Sequence, residues 1–397
     1  MIEKVRKEFN STFQIEAYNS LLNDIENAFP GALDFRIAET PIFINKKMGN
    51  EMIQTCEFII DFIRSDDFME LTKNSIPSNE KVQGENNHPH FIAFDFGICE
   101  NEKGETYPGL IEMQGFPTLY GFQAFYPNVL ENNFQIPTGF SHYFNGLNQE
   151  SYLRELKDLI IGDSDPNEVI LLEIKPHTQK TRIDFYCTEK YLGIKSVCIT
   201  ELIQEGENLF YLHNGNKLQI KKIYNRIIFD ELNSINNSLG PIPDITSELN
   251  VEWIGHPNWF YRISKYTLPF LRHPFIPETF FLSEIKQIPK DLENYVLKPL
   301  FSFAGQGVII DVTENDLSAI SDPENWILQK KVIYSNCIET PDIPAKAEIR
   351  LMYIWKDGDE RPILVTNLAR LSKGKMIGTR YNKDKKWVGG SVAYFEI

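Results

Sequence analysis

The sequence predicts an α+β fold with an α/β subdomain, on three observations. Residues 1–75 carry helical apolar spacing, the middle of the chain alternates strand and helix, and the last third is rich in short strands broken by glycine and proline. At 397 residues the chain is too long for one simple core, so two or three lobes are expected. The expected division is 1–160, a helical region plus an acidic hairpin; 161–250, an α/β domain; and 251–397, a lobe built around lysine-bearing strands.

The elements follow in order. "SLLNDIENAF" and "EMIQTCEFIIDFIRSDDFMELT" repeat apolar residues at i, i+3 and i+4 and read as helices. "NSIPSNEKVQGENNHPH" is a polar loop. "FIAFDFGICE" and "YPGLIEMQGF", joined by the turn "NEKGET", read as an antiparallel hairpin. "SYLRELKDLIIG" is a further helix. "EVILLEIKP" is a continuous apolar run of the kind found in a parallel strand covered on both faces. A helix, "QKTRIDFYCTEKYLGI", and a strand, "KSVCITEL", follow it. "NLFYLHNGNKLQIKKIYNR" is expected to be one hairpin, "IIFDELNSI" a helix, and "SLGPIPDITSELN" a linker. Beyond it, "WFYRISKYTLPFLRH" reads as a helix, and "YVLKPL" and "GVIIDV" as strands about a glycine turn. "WILQKKVI", "AEIRLMYIW" and "PILVTNLARLS" are expected to complete one antiparallel sheet.

Composition excludes some functions. Lys and Arg number 40 against 55 Asp and Glu, a net charge of −15. Phosphate backbones reward basic residues, so nucleic acid is not an expected partner. The five cysteines are scattered without a C-x-x-C, which argues against a zinc site or disulfide framework and for a reducing compartment. The first residues carry charges and no apolar signal region, and no run of about eighteen apolar residues occurs. A cytoplasmic protein without a membrane partner is expected; nothing in the sequence bears on oligomeric state. The histidines, His88 and His90 included, lack metal-ligand spacing, and no G-x-S-x-G or Cys–His signature supports a nucleophilic hydrolase.

Four constellations carry chemistry. In "VLKPLFSFAGQGV", Lys298 ends an apolar strand before a turn holding Gly305 and Gly307. A lysine there reaches nucleotide phosphates, and glycines let backbone N–H groups approach them; the alternative is a hairpin whose lysine extends to solvent. In "FDFGICENEKGETYPGLIEMQGFP", Asp95 and Glu112 lie on neighbouring strands, and alternation puts Gln114 on the same face as Glu112. Two carboxylates and an amide oxygen suit Mg²⁺, which takes oxygen ligands and shares its shell with phosphates; the alternative is a solvated acidic hairpin. Lys265 in "NWFYRISKYTLPFL" is either a second phosphate-reaching lysine on a helix or an exposed one. Gln329 to Val332 suit a hinge whose backbone borders adenine. Arg350 and Arg370 alternate with apolar residues and either stabilise charge on a transferring phosphoryl group or serve as ion-pair partners.

In combination and order these segments resemble the ATP-grasp enzymes, and specifically the synthetase domain of glutathionylspermidine synthases, whose elements run in permuted order. The acidic hairpin comes first, then the α/β domain with "YNRIIFDEL", then "SKYTLPFLRHPFIPETFF" and "YVLKPLFSFAGQGV". The likeness covers roughly residues 85–397. It implies an ATP-grasp-like fold with a nucleotide cleft between two lobes and an α/β domain like the one that precedes the grasp in that family. It implies ATP-dependent ligation: a carboxylate attacks the γ-phosphate, and an amine displaces phosphate from the acyl phosphate. Asp95, Glu112 and Gln114 would hold Mg²⁺, two ions in all. Lys265 and Lys298 would bind ATP phosphates under the loop with Ser302, Gly305, Gln306 and Gly307. Gln329, Lys330 and Val332 would border the adenine, and Arg350 and Arg370 would act at the transferring phosphate. A small or peptide carboxylate and an amine are the implied substrates. Two departures stand out. Gln114 replaces the usual Asn, and Ala93 stands where an arginine usually faces the reacting phosphate. A kinase-type phosphotransferase and a nucleotide-binding module without turnover remain the rival readings.

Overall fold

In the computed structural model, residues 2–229, 232, 239–301, 307–374, 377, 382 and 384–397 are described. The loop residues Ser302, Gly305 and Gln306 and most of "IIFDELNSI" lie outside them. The chain is a mixed α/β protein with several sheets.

The largest sheet has five antiparallel strands, in the order Gly389–Ser391, Ile363–Ser372, Lys346–Ile354, Phe91–Glu100, Thr106–Gln114. One face is apolar. Phe94, Phe96, Ile349 and Leu351 pack there against Met52, Cys56, Ile59 and Ile60 of the helix Lys46–Ile63. Burying such side chains stabilises by roughly 1.5–3 kcal/mol each. Asn45 caps that helix by accepting from the Met48 N–H at 2.9 Å, as its place before the first helical residue predicts. The opposite face carries the charged residues.

A second sheet has the order Thr279–Phe281, Trp326–Lys330, Tyr295–Pro299, Ile309–Ile310. Lys298 lies on its third strand. The expected single sheet of "WILQKKVI", "AEIRLMYIW" and "PILVTNLARLS" is therefore corrected: the first strand belongs with Lys298 and the other two with the acidic hairpin. The segment between them explains the split. It runs along the acidic strand, with Glu100 N–H donating to Ile333 O at 2.8 Å and Ser335 N–H to Ile98 O at 2.9 Å, and so ties one sheet to the other.

The α/β part is a parallel sheet, Glu252–Ile254, Lys222–Asn225, Val169–Glu173, Lys195–Cys198. Every residue of Val169–Glu173 is buried, as its unbroken apolar run predicts. The expected hairpin from 208 to 226 is cut short. Asn208–His213 and Asn216–Ile220 pair as antiparallel strands, but Lys222–Asn225 leaves them for the parallel sheet.

Several elements have no counterpart in the sequence analysis, two of them instructive. The helix Tyr120–Asn133 is buried along almost its whole length and has a proline inside it, so it lacks the one-sided stripe that marks a surface helix. Ile42–Ile44 pairs in parallel with Ala393–Glu396, a contact between chain ends that no local pattern encodes. The expected helix over 259–273 is also corrected. Only Asn258–Arg262 is α-helical, and Lys265–Phe270 is a separate 3₁₀ turn capped by Ser264, with Pro269 inside it.

Candidate functional site

Strand pairing gathers the charged residues on one face. Asp95 stands opposite Glu112, and Ala93 opposite Gln114, with a bulge at the Asp95–Phe96 step. Such bulges re-aim neighbouring side chains. From the other side Arg350 stands opposite Asp95, Glu348 opposite Gly97, and Arg370 opposite Glu348. Gly97 leaves room for a neighbour, since a Cβ there would lie 2.6 Å from the Tyr334 ring.

Arg350 grips Asp95 in a fork, Nε to Oδ1 and Nη2 to Oδ2, both at 2.5 Å, and donates from Nη1 to Thr118 Oγ1 at 3.1 Å. Arg370 Nη2 donates to Asp95 Oδ2 at 2.8 Å and also to Glu348. Tyr334 donates its hydroxyl hydrogen to Glu348 Oε2 at 2.9 Å. Burial pushes the Asp95 carboxyl up, but the two guanidinium groups outweigh it and hold it below the usual range. Burial raises Glu348, with Arg370 opposing. Such forked pairs are strong and directional.

The lysines reach this face from the second sheet and the 3₁₀ turn. Lys298 Nζ donates to Gln329 Oε1 at 2.5 Å, and Gln329 Nε2 donates to Thr279 Oγ1 at 3.1 Å. Burial pushes the Lys298 ammonium down to about 8; Glu112 and Glu348 support its charge and Lys265 opposes it. These four side chains therefore lie within electrostatic reach of one another. Lys265 is buried at the start of its turn. A close backbone approach holds that segment in place: Gly115 N–H donates to Ile263 O at 3.0 Å, and a Cβ on Gly115 would come within 2.4 Å of Trp259 O.

The remaining residues sit nearby along the chain. Gln329 is buried; Lys330, next to it, is exposed at the end of the same strand. Val332 Cγ1 would lie 3.2 Å from a Cβ on Gly109, so the connecting segment presses on the acidic hairpin. Gly307 has φ +73°, a left-handed conformation that favours glycine. Sequence reasoning missed Glu348, Thr118, Tyr334 and Thr279. Glu348 was findable, two residues before Arg350 and thus on the same face; the other three meet the site only through tertiary contacts.

The expected metal set divides. Among the described residues, Gln114 Oε1 is buried without a hydrogen-bond partner, while Gln114 Nε2 donates to Glu112 Oε1 at 3.2 Å. That orphaned oxygen beside a carboxylate fits one divalent cation. Asp95 does not fit as a ligand in this arrangement, because both its oxygens accept from arginine. Two surface hollows, of about 380 Å³ beside Asp165 and His213 and about 470 Å³ beside Glu131 and His142, include no residue of this face.

A pH dependence follows from Lys298. An anionic ligand favours the ammonium form, so binding draws in a proton above pH 8. Affinity for Mg-ATP is expected to be full below pH 8 and to fall as pH rises through it, by up to about tenfold per pH unit. Calorimetric titrations from pH 7 to 9.5 check this; a flat profile removes Lys298 from the phosphate contacts.

No family model matches the chain, and no curated protein matches it in sequence. Among the described residues, no helix is long and apolar enough to cross a membrane. Among solved structures, the chain is similar to the apo form of a glutathione synthetase-like effector (GSS30) from Globodera pallida, with a TM-score of 0.58 and 12% identity over 97% of each chain. At that identity the likeness is one of fold alone, over nearly the whole length of both chains.

Proposed function

We propose that the chain is an ATP-dependent carbon–nitrogen ligase, ADP-forming, which joins a carboxylate to an amine through an acyl phosphate. The observation that carries this reading is the meeting of Lys298 and Lys265 with Glu112, Glu348 and the two arginines across adjoining sheets. Phosphoryl transfer needs charge neutralisation and in-line positioning more than covalent help. Lys298 and Lys265 bind the phosphates, Arg370 faces the transferring group, and Gln329 holds the Lys298 ammonium in place. Gln329 to Val332 border the adenine. Glu112 and Gln114 would hold Mg²⁺, which would supply charge neutralisation at the phosphates. The fold likeness to a protein named for glutathione synthetase supports the same class of reaction.

One observation favours a second reading, a nucleotide-binding module without turnover. Ala93, buried on the charged face opposite Gln114, brings no charge where the resemblance expects an arginine. Incubation with Mg-ATP and a mixture of amino acids, peptides and polyamines separates the two. ADP and phosphate release that depends on both an acid and an amine supports the ligase, and Glu112→Ala is then expected to remove most of it. ADP release with phosphorylation of a hydroxyl and no amide indicates a kinase; nucleotide binding with no ADP indicates the module.

A further inference from the structure

Asp95 is where a metal ligand is expected, yet most of its acceptor sites have occupants. Oδ1 accepts from Arg350, and Oδ2 accepts from both Arg350 and Arg370. Asp95 is 1% exposed and Arg350 8%, so water does not compete for these bonds. For Asp95 to turn its oxygens to a dication it must loosen its hold on buried Arg350 and part-exposed Arg370, with the dication adding like charge beside them. Removing one partner of such a pair is strongly destabilising.

The two arginines are not equivalent. Arg350 is anchored on three sides, by both Asp95 oxygens and by Thr118. The side chain of Arg370 is 39% exposed, and its bonds to Asp95 and Glu348 both leave from Nη2. Among the described residues, no hydrogen bond occupies its Nη1 or Nε. Asp95 and Glu348 thus hold one corner of a part-exposed guanidinium. On the other side of Asp95, Glu112 and Gln114 keep the orphaned oxygen described above.

We infer that Asp95 is a positioning residue rather than a metal ligand: with Glu348 it aims the free donors of Arg370 at an anionic oxygen of the nucleotide, and the site has a single divalent position, at Glu112 and Gln114. This rests on the nucleotide reading above. It separates the three residues of the hairpin into two roles. Glu112 and Gln114 act through metal, whereas Asp95 acts through arginine and independently of metal.

The test is calorimetric binding of a non-hydrolysable ATP analogue, the β,γ-imido compound, to the full chain in Mg²⁺ and in EDTA. Wild type is expected to bind in both, more weakly in EDTA. Asp95→Asn and Arg370→Gln are each expected to weaken binding about tenfold in both buffers, with the double variant no worse than the weaker single. Glu112→Gln is expected to weaken binding in Mg²⁺ alone. Arg370→Gln, at a part-exposed side chain, carries the test by itself if Asp95→Asn does not fold, as judged by near-ultraviolet circular dichroism. Binding by wild type only in Mg²⁺, or loss in Asp95→Asn or Arg370→Gln confined to Mg²⁺, overturns the inference while leaving the nucleotide reading intact. No binding by wild type in either buffer overturns both.

Discussion

Lys298→Met is expected to weaken Mg-ATP binding by about a hundredfold while leaving the melting temperature within a few degrees of wild type. A charge-assisted bond to phosphate contributes about 1.5–3 kcal/mol, which corresponds to roughly ten- to more than a hundredfold in affinity. The upper part of that range applies because Lys298 is held in a desolvated place, where its charge is weakly screened. Two opposing effects set the stability of the variant. Methionine removes an ammonium whose burial pushes it down to about 8, which favours the folded state. It also strips the buried Gln329 Oε1 of the donor at 2.5 Å, which disfavours it. Each effect is on the order of 1–3 kcal/mol, so they largely cancel. The ammonium contribution also depends on pH. Unfolding returns the lysine to its ordinary 10.5, so the wild-type penalty is fully present below pH 8 and relieved as pH rises above that value. The variant is therefore expected to compare best with wild type at pH 7 and less well at pH 9.5. Calorimetric binding beside thermal melts at both pH values reads all of this. Unchanged ATP affinity in a folded Lys298→Met protein removes the lysine from the nucleotide site.

Much of this site was legible because period-two alternation is a local property. Asp95 followed by Phe96, and Glu112, Met113 and Gln114 in succession, already separate a polar face from an apolar one. Arg350 and Arg370 alternate with apolar neighbours for the same reason. What alternation does not give is the partner strand. The strand Trp326–Lys330 and the strand Lys346–Ile354 look alike in sequence, yet they join different sheets because the connection runs beside Ile98 and Glu100. The helix Tyr120–Asn133 was missed because surfaces on all sides cover it; Gly121 lies so close to the neighbouring helix that a Cβ would meet Thr188 Oγ1 at 2.4 Å. Its first turn is instead fixed from afar, by Asp184 Oδ1 accepting from the Phe122 N–H at 2.9 Å. The turn around Lys265 resembles continuous helix in sequence because its apolar spacing is helical; the Ser264 cap and Pro269 break it in two. In each case local pattern marks the candidate residues, and long-range contacts decide the geometry.

Arg350→Met is expected to cost about 3–5 kcal/mol of stability, seen as a fall in melting temperature on the order of 5 °C for a chain of this size. Methionine fills much of the volume but leaves Asp95, 1% exposed, with a single bond from Arg370 at 2.8 Å; Thr118 Oγ1 also loses its donor. The uncompensated buried carboxylate costs most, more than the loss of any single neutral hydrogen bond. Its signature is a pH dependence opposite in sign to that of the wild type. In the wild type the arginines hold Asp95 below its ordinary 3.8. That contribution is present above pH 3.8 and lost as pH falls through the lower folded value. Without Arg350, burial becomes the leading influence and raises the carboxyl, so protonation in mild acid relieves the variant. Its deficit is expected to be largest near pH 7 and to shrink toward pH 4. Asp95→Asn combined with Arg350→Met removes the under-compensated charge and is expected to recover most of the loss, a coupling that additive single effects do not produce. A deficit that stays constant from pH 7 to 4, with no recovery in the double variant, means that Arg350 stabilises the sheet through its packing rather than through Asp95.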